Sequence, residues 1–585
     1  MLILSISPFT PHKKLRTRIS PYLASTLLAA LLLGASPFLH ADVTMPAIFG
    51  DHMVLQQGVT LPVWGMAAAG EEVTVTAGAA TAKTTAGADG KWRVDLAALQ
   101  GSTEPITLTV SGKNKLTFSD VLVGDVWACS GQSNMATGIT TSSRGKEDIA
   151  KANRPLLRLF IVTQSSAYTP LDDMPLEKNP KLSLVGHWQV CTPEILVGHG
   201  GWPNSFSAVA YYFGSEIQER TKLPVGLIQC AYGGLRIQSF ISLDAFKANP
   251  DFAKYAAQHE KAKAAAPAAE AAFPALKVEF DAKMKAWNEQ HGAAFKQTMA
   301  DWTKASAAAT AARAPVSPRP TPSVPMPVAP PDGKPQATTP THVFNSMINP
   351  IIPFGIKGVI WYQGETNRFD PSPSDYDKLF ATLITDWRTR WGRGDFPFLF
   401  VQLANFMAPT TQPVEESGLA MIRDLQQRTL KVPNTAMAVA VDIGEANDIH
   451  PRNKADVGHR LALAARKLAY GEDIEHSGPL YDAMSVEADK IRIRFQHAKG
   501  LKIAANPKLF PDDTSTAPAE LQAFAICGAD KKWVAAKAVI DGETVVVSSD
   551  EVKAPVAVRY GWANNPPCFL YNAADLPAAP FRTDH

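Results

Sequence analysis

A serine in a turn of small residues is the strongest chemical signal in the sequence. Ser133 lies in a Gly-Gln-Ser-Asn-Met segment at 131–135, directly after an apolar run that ends at Cys129. In open α/β sheets, ligands bind beyond the carboxyl ends of the strands. A serine there is exposed, and nearby backbone N–H groups can stabilise an oxyanion. The segment indicates a nucleophile, although a helix N-cap serine has a similar local pattern and the segment differs from the Gly-x-Ser-x-Gly elbow.

A serine nucleophile needs a general base, and His450 is the candidate. It follows another apolar run at 436–441, so we expect it in a loop on the same rim of the sheet as Ser133. Asp448, two residues earlier, can hold the imidazole in the required tautomer and stabilise its charged form. The structural alternative is a solvated histidine beside a solvated carboxylate. Ser133, His450 and Asp448 therefore form a candidate triad.

Two further polar loops follow strand-like runs. The glycine pair at 233–234 lets a substrate approach the backbone closely. The segment 361–367, Trp-Tyr-Gln-Gly-Glu-Thr-Asn, contains amide donors in Gln363 and Asn367 and an aromatic side chain, Trp361, that can stack on a sugar. An ordinary turn and a core tryptophan are the structural alternatives. Four polar loops at four strand ends together favour an active site.

The elements that must position these loops follow two patterns. From 42 to 118 apolar and polar residues alternate with period two, and Asp89-Gly90 predicts a hairpin turn. Beyond 119, short apolar runs alternate with amphipathic helical segments, which is typical of an α/β domain with a buried, mostly parallel sheet. The apolar runs are at 121–129, 225–231, 358–362, 398–403 and 436–441. The helical segments are at 207–221, 376–391 and 457–470.

An insertion divides the α/β pattern. Residues 251–313 are rich in Ala, Lys and Glu and predict surface helices, which Pro267 and Pro274 are expected to break. Six prolines between 315 and 327 then predict an extended, solvated linker. A β pattern returns at 473. We expect a signal peptide at 1–41, an N-terminal β domain at 42–118, an α/β domain in two parts at 119–250 and 341–472, the insertion at 251–340, and a C-terminal β domain at 473–585.

The N-terminal segment has the pattern of a secretory signal. Basic residues precede an apolar run at 22–35, and Ala41 offers a cleavage site. An uncleaved anchor is the alternative, because Leu39 stands where a smaller residue is usual. Removing the segment takes four of the 57 Lys and Arg residues and leaves near balance with 55 Asp and Glu. We expect a periplasmic or secreted protein without a nucleic acid or anionic membrane as partner.

Five cysteines are too few and too widely spaced for a disulfide framework or a zinc motif. Cys129 and Cys230 end apolar runs, so buried free thiols are at least as plausible there as one disulfide bridge. The hydrophobic content of 46% with 19% charged residues is ordinary for a soluble globular protein.

Three segments together resemble the sialate O-acetylesterase family of the SGNH, or GDSL-like, hydrolases. They are Gly-Gln-Ser-Asn-Met at 131–135, Trp-Tyr-Gln-Gly-Glu at 361–365 and Asp-Ile-His-Pro at 448–451. Shorter matches extend the likeness along most of the chain, at 53–56, 63–65, 207–213 and 580–584.

The resemblance implies a three-layer α/β/α sandwich flanked by β domains, with no metal or organic cofactor. It also implies Ser133 as nucleophile and His450 as base, with an oxyanion hole made by the Ser133 and Gly234 N–H groups and an amide from Gln363. Gln132, Asn134, Trp361, Glu365 and Asn367 are the expected substrate contacts.

The acid partner of His450 stays open at this point. Many relatives carry the acid three residues before the histidine, where this sequence has Asn447. Asp448 is the choice, with Asp442, Glu445 or a backbone carbonyl as alternatives.

The resemblance predicts a serine esterase that removes acetyl groups from sugars, and the N-terminal segment predicts that it is exported. The sugar is an O-acetylated sialic acid or, equally, a plant hemicellulose such as xylan or xyloglucan. An inactive carbohydrate-binding protein is the alternative of a different class, and a lipase is a third, although no apolar lid-like segment lies near Ser133.

Overall fold

The computed structural model describes residues 42–176, 184–198, 205–311, 317, 319–370, 373–410, 412–505 and 516–584. The expected signal segment at 1–41 lies outside these residues. Within the described ranges, no helix is long and apolar enough to cross a membrane.

Seven strands make up the N-terminal β region and lead into the centre of the molecule. Glu72–Ala77 buries every second residue, as a strand with one solvent face does. The last strand, Lys115–Gly131, pairs with its predecessor at its polar start and is buried over its final eleven residues. The strands are β1 (Val54–Gln56), β2 (Leu61–Met66), β3 (Glu72–Ala77), β4 (Ala80–Thr85), β5 (Lys91–Leu96), β6 (Ser102–Ser111) and β7 (Lys115–Gly131).

The central sheet contains β7 and six later strands. These are β8 (Arg154–Ile161), β9 (Gln189–Cys191), β10 (Val225–Ala231), β11 (Gly358–Tyr362), β12 (Phe398–Gln402) and β13 (Thr435–Val439). The strand order is β13-β12-β11-β7-β10-β8-β9, and all neighbours are parallel except β8 and β9. The strands β10, β11 and β12 are buried throughout and mostly apolar, because helices cover both faces of the sheet. The predicted α/β class is confirmed.

Ten α-helices are described. They are α1 (Ser133–Ala136), α2 (Gly145–Ala150), α3 (Pro193–Val197), α4 (Ala208–Thr221), α5 (Leu243–Ala248), α6 (Ala253–Trp287), α7 (Ala293–Ala311), α8 (Tyr376–Trp391), α9 (Gly418–Arg428) and α10 (Lys454–Leu468).

Two tryptophans show that helices lie on opposite faces of the sheet. Trp127 of β7 packs edge-on against Phe213 of α4, with ring centroids 5.0 Å apart. On the neighbouring β11, Trp361 pairs with Ser130, three residues beyond Trp127, so its side chain points to the other face. There it meets Trp387 of α8 at 6.1 Å. The α/β/α layering is therefore as predicted.

The insertion is helical, but its prolines do not break the first helix. The 35-residue α6 runs through both Pro267 and Pro274, so the expectation of a break was wrong. Both prolines are exposed, and the carbonyls that lose their helical partner can therefore bond water. The described part of the proline-rich stretch has no helix or strand, as predicted. The proline-rich stretch packs against the end of α6, where Trp287 Nε1 donates to the Val324 carbonyl at 3.0 Å.

The C-terminal region is a set of small antiparallel sheets. Its strands are β14 (Leu480–Glu487), β15 (Lys490–Gln496), β16 (Lys502–Ile503), β17 (Phe524–Cys527), β18 (Trp533–Ala535), β19 (Lys537–Asp541), β20 (Thr544–Ser548), β21 (Ala557–Tyr560), β22 (Leu570–Tyr571) and β23 (Phe581–Arg582). Arg423 of α9 fixes this region to the central domain by donating to carbonyls on both sides, among them Ala404 at 2.7 Å and Ala563 at 2.8 Å. Burial lowers the pKa of Arg423 to about 10.

All five cysteines are free thiols and buried. Burial raises the pKa of the Cys230 thiol to about 12, which makes it a poor nucleophile at neutral pH. The cysteines therefore act as small apolar core residues.

Candidate active site

The turn that carries Ser133 is built around a close approach of two strands. Gly131, the last residue of β7, has φ +134°, and an added Cβ would lie 2.1 Å from the carbonyl oxygen of Tyr362 on β11. Only glycine fits this position. The next residue, Gln132, donates its N–H to the same carbonyl at 2.9 Å. Ser133 then begins α1 at the carboxyl edge of the sheet.

His450 reaches Ser133 from the loop between β13 and α10. Its Nε2 lies 2.8 Å from Ser133 Oγ, which is hydrogen-bond distance between the imidazole and the serine hydroxyl. Both side chains are partly exposed. The two residues are 317 positions apart in the chain, and the structure brings them together as the sequence predicted.

Asp448 is the carboxylate that the structure brings to the His450 ring. Its Oδ1 lies 3.5 Å from His450 Nδ1 and accepts the His450 backbone N–H at 2.8 Å. Burial raises the pKa of Asp448, but the hydrogen bonds from the His450 side chain and backbone outweigh burial and leave it below its usual value. The contact to Nδ1 is long for a hydrogen bond, and the carboxylate is 52% exposed.

The alternative acids are paired with arginines. Asp442 accepts two bonds from Arg460, both at 2.7 Å, and a third from the Tyr571 hydroxyl at 2.9 Å. Glu445 accepts the N–H and Nε of Arg452 at 2.7 and 3.1 Å. These two carboxylates brace the loop that carries His450.

The glycine loop lies beside the nucleophile turn. Tyr232 donates its N–H to the Gly131 carbonyl at 3.0 Å, which ties the two strand ends together. Gly233 and Gly234 follow and line the same cleft as Ser133 and His450. Gly234 has φ +74°, a conformation that glycine adopts without strain. The backbone of this loop is thus open to a bound substrate.

The cleft above these residues has a volume of ≈ 1020 Å³ and is open to solvent. Its remaining lining is mostly small hydroxyl side chains from the segment after α1, which can exchange hydrogen bonds with sugar hydroxyls. The lining residues are Ser133, Thr137, Thr140, Thr141, Ser142, Ser143, Gly233, Gly234, Asp448, His450 and Arg452.

The structure does not bring Gln363 to the oxyanion position. Its side chain is 0% exposed, and Nε2 donates to the Leu235 carbonyl at 3.2 Å and to Asn367 Oδ1 at 2.6 Å. The hydroxyl of Tyr376 donates to its amide oxygen at 2.8 Å. Because this amide is engaged on both ends, it holds the glycine loop in place rather than facing the cleft.

The expected substrate contacts are also buried. Trp361 is 0% exposed and packs between Phe240 and Trp387, so the structure places it in the core rather than on a sugar face. Gln132 is 3% exposed and Asn367 is 1% exposed, and both side chains hydrogen-bond to neighbouring segments. The sequence could not predict that these side chains are buried, because aromatic and amide residues occur both in clefts and in cores.

A buried lysine beneath the serine is a residue that sequence reasoning missed. Lys454 Nζ donates to Asn134 Oδ1, and Asn134 Nδ2 donates both to Glu365 and to the carbonyl of Ile449 at 3.0 Å. Asn134 follows Ser133, and Ile449 precedes His450, so this cluster joins the two reacting segments from below. The side chains of Asn134 and Glu365, which the sequence predicts as substrate contacts, are thus buried and hydrogen-bonded within this cluster.

The charges of this cluster are strongly perturbed. Burial lowers the pKa of Lys454 to about 8, although Glu365 and two other carboxylates favour its charged form. Burial likewise raises the pKa of Glu365, against the opposing effect of the Asn134 hydrogen bond. A lysine at a helix start is usually solvated, so nothing in its sequence position marks it as buried.

Comparisons with known proteins agree with this geometry. A family model described as carbohydrate esterase, sialic acid-specific acetylesterase matches residues 336–467. The crystal structure of a carbohydrate acetylesterase from Xanthomonas citri is 32% identical, covers 93% of this chain and 99% of its own, and superposes with a TM-score of 0.69. The chain belongs to the sialate O-acetylesterase family of carbohydrate esterases.

Mammalian members of the family match over nearly the full chain. The sialate O-acetylesterase of Mus musculus is 28% identical over 91% of this chain and 92% of its own length. That of Homo sapiens is 26% identical over 96% of this chain and 97% of its own length. The family membership read from the sequence is confirmed.

Proposed function

We propose that the chain removes acetyl groups from sugars with Ser133 as nucleophile and His450 as general base. It is a carbohydrate O-acetylesterase, a carboxylic ester hydrolase, as its family relationship indicates. The single observation that carries the residue assignment is the 2.8 Å contact between Ser133 Oγ and His450 Nε2 at the floor of an open cleft. A hydroxyl in reach of a neutral imidazole is the arrangement that activates serine for attack on an ester.

The reaction runs through an acyl-enzyme. His450 Nε2 takes the Ser133 proton as Oγ attacks the acetyl carbonyl, and the tetrahedral intermediate carries a negative oxygen. The intermediate collapses with cleavage of the bond between the acetyl carbon and the sugar oxygen. His450 gives its proton to that oxygen, so the sugar leaves as a free hydroxyl and the acetyl group stays on Ser133 as an ester. Water attacks this ester with His450 again as base, and acetate is released. Asp448 stabilises the imidazolium that forms in each half-reaction.

The oxyanion is stabilised by backbone donors in this proposal. Ser133 and Gly234 line the cleft together, so their N–H groups are the candidate oxyanion donors. The Gln363 amide instead donates to the Leu235 carbonyl of the glycine loop. Losing one oxyanion donor costs on the order of 10²–10³-fold in turnover.

An O-acetylated sialic acid is the first substrate candidate. The relatives from Mus musculus and Homo sapiens are named for that sugar. Arg452 on the cleft wall is paired with Glu445 through its Nε, and its guanidinium is the cation of the cleft lining that suits a carboxylated sugar.

Acetylated hemicellulose is the second candidate. The cleft is open to solvent and lined by small hydroxyl residues, which admits a polymer chain. The solved relative from Xanthomonas citri is titled a carbohydrate acetylesterase, without one sugar specified.

Export is part of the proposal. The basic and apolar pattern of residues 1–41 supports a cleaved signal segment. The N-terminus of the mature protein from an expressing culture, with its fractionation between cells and medium, tests it.

Acetate release by the purified enzyme tests the function. O-acetylated sialic acid, acetylated xylan and acetylated xyloglucan are compared with p-nitrophenyl acetate and a long-chain p-nitrophenyl ester. We expect acetate from at least one sugar and little hydrolysis of the long-chain ester. Activity limited to the long-chain ester indicates a lipase, and inertness towards all five indicates a carbohydrate-binding protein; either result overturns the proposal.

A further inference from the structure

Two histidines and a glutamate meet at the start of the C-terminal β region, outside the active-site cleft. One ligand atom from each of Glu475, His476 and His497 lies within 4.8 Å of the others. His497 Nδ1 is 2.7 Å and His476 Nδ1 is 3.9 Å from Glu475 Oε1. The two imidazole rings stand at 90° with centroids 5.2 Å apart. The three side chains are 17–32% exposed, so an ion in solution can reach them.

The backbone around this cluster is held by a buried side chain from a third segment. Asn572, 1% exposed, donates from Nδ2 to the Ser477 carbonyl at 2.9 Å and to the His497 carbonyl at 3.1 Å. It therefore fixes the segment after Glu475 and His476 to the segment of His497. His497 itself has φ +57°, which is uncommon outside glycine. Such a conformation costs free energy and persists where the surroundings impose it.

Glu475 is oriented by the backbone as well. Its Oε1 accepts the N–H groups of His476 and Ser477 at 2.9 and 3.2 Å. A ligating carboxylate held by hydrogen bonds in this way is typical of a preorganised metal site. The cluster thus has three ligand residues and supporting contacts on both segments that carry them.

We propose that Glu475, His476 and His497 bind one divalent transition-metal ion, with Zn²⁺ as the preferred species. Two imidazoles and one carboxylate form a donor set that suits zinc rather than the oxygen-bound Mg²⁺ or Ca²⁺. Ligand atoms around tetrahedral zinc lie about 3.4 Å apart, given Zn–N bonds of about 2.05 Å. The ligand atoms of the three side chains already lie within 4.8 Å of one another, so rotation of the side chains is enough to bring them to this spacing. Water completes the coordination.

The ion joins two parts of the C-terminal region. Glu475 and His476 lie between α10 and β14, where the chain leaves the α/β domain, and His497 follows β15. Bound metal crosslinks these segments, and it replaces the proton that Glu475 and His497 share. A ligand that binds only the folded state stabilises it by an amount that grows with the logarithm of the ligand concentration relative to Kd, so the site adds stability when zinc is present. Acetate release does not depend on it.

Zinc titration of the full-length protein by calorimetry, after removal of metal with EDTA, tests the site. We expect one equivalent of Zn²⁺ to bind, and His476→Ala and His497→Asn each to weaken that binding at least ~10-fold. Asparagine is chosen at 497 because it tolerates the left-handed backbone. Mg²⁺ in place of Zn²⁺ is expected to bind far more weakly.

A matched control is the His459–Glu216 pair. His459 Nδ1 lies 2.7 Å from Glu216 Oε2, the same distance as in the contact between His497 and Glu475. Among the described residues, this pair is not part of a group of three ligand side chains. His459→Ala should bind zinc as the wild type does. In about 50 µM ZnCl₂, the midpoint temperature of thermal unfolding should rise for the wild type and for His459→Ala. For His476→Ala it should stay unchanged. Absence of zinc binding to the wild type, or equal binding by all variants, overturns the proposal.

Discussion

Asp448→Asn tests whether the Asp448 carboxylate stabilises the positively charged His450 imidazolium during the reaction. The substitution removes the negative charge 3.5 Å from His450 Nδ1 but keeps an oxygen that can accept the His450 backbone N–H. The loop should therefore hold its shape. Any loss of activity then reports the electrostatic stabilisation of the imidazolium rather than misfolding.

The size of the loss follows from the distance and the exposure. Two unit charges 3.5 Å apart interact with about 1.2 kcal/mol in water and about 2.4 kcal/mol at an effective dielectric constant of ~40. Asp448 is 52% exposed, so its surroundings lie in that range. Because the imidazolium forms in the transition state, the loss appears in kcat, as a decrease of about 8- to 60-fold.

Initial rates on p-nitrophenyl acetate and on the preferred acetylated sugar give kcat and KM for the wild type and variant. KM should change little. Glu445→Gln is the matched control: it removes a carboxylate from the same loop but keeps an oxygen that can accept the Arg452 N–H, so the loop should hold and kcat should stay within ~3-fold. A decrease of 10⁴-fold or more for Asp448→Asn, or the main loss in Glu445→Gln, refutes the reasoning.

Three further changes have expected outcomes. Gly131→Ala forces a Cβ to 2.1 Å from a backbone carbonyl at φ +134°, so it should cost more than ~3 kcal/mol in the free energy of unfolding by denaturant titration. Lys454→Met removes a charged hydrogen bond to Asn134 and should lower kcat on p-nitrophenyl acetate ~10-fold or more, with Lys454→Arg as the comparison. Burial lowers the pKa of His342 to about 4 from 6.5, so the unfolded chain binds more protons between these values. Wild-type stability should therefore fall by up to about 3 kcal/mol as pH drops from ~6.5 to ~4, and His342→Gln should flatten this slope in thermal melts against pH.

The placement of Ser133 and His450 at one edge of the sheet could be predicted because strand ends are visible in the sequence. Ser133 and His450 each follow a buried apolar run, and parallel strands bring their carboxyl ends to one edge of the sheet. Their pairing at 2.8 Å needed no information beyond that rule and the family motifs. The layered fold could be predicted for the same reason, since a parallel sheet needs helices on both faces.

The supporting residues could not be predicted because the sequence does not give the direction of a loop side chain. Trp361 lies near the end of β11 and Gln363 follows it, but both side chains turn inward. Lys454 also turns inward, from a helix start where a lysine is usually solvated. The continuity of α6 across Pro267 and Pro274 was likewise unpredictable, because exposure of the helix removes much of the cost. Tertiary burial decides each of these cases.

Acetate release by Ser133→Ala tests the central claim most directly. The variant is compared with wild type and with Ser143→Ala, which changes another serine of the same cleft. If the acyl-enzyme forms on Ser133 as proposed, Ser133→Ala should lose ~10⁶-fold in kcat and Ser143→Ala should stay within ~10-fold of the wild type. Acetate release by Ser133→Ala near the wild-type rate, with circular dichroism showing the variant folded, would contradict the account.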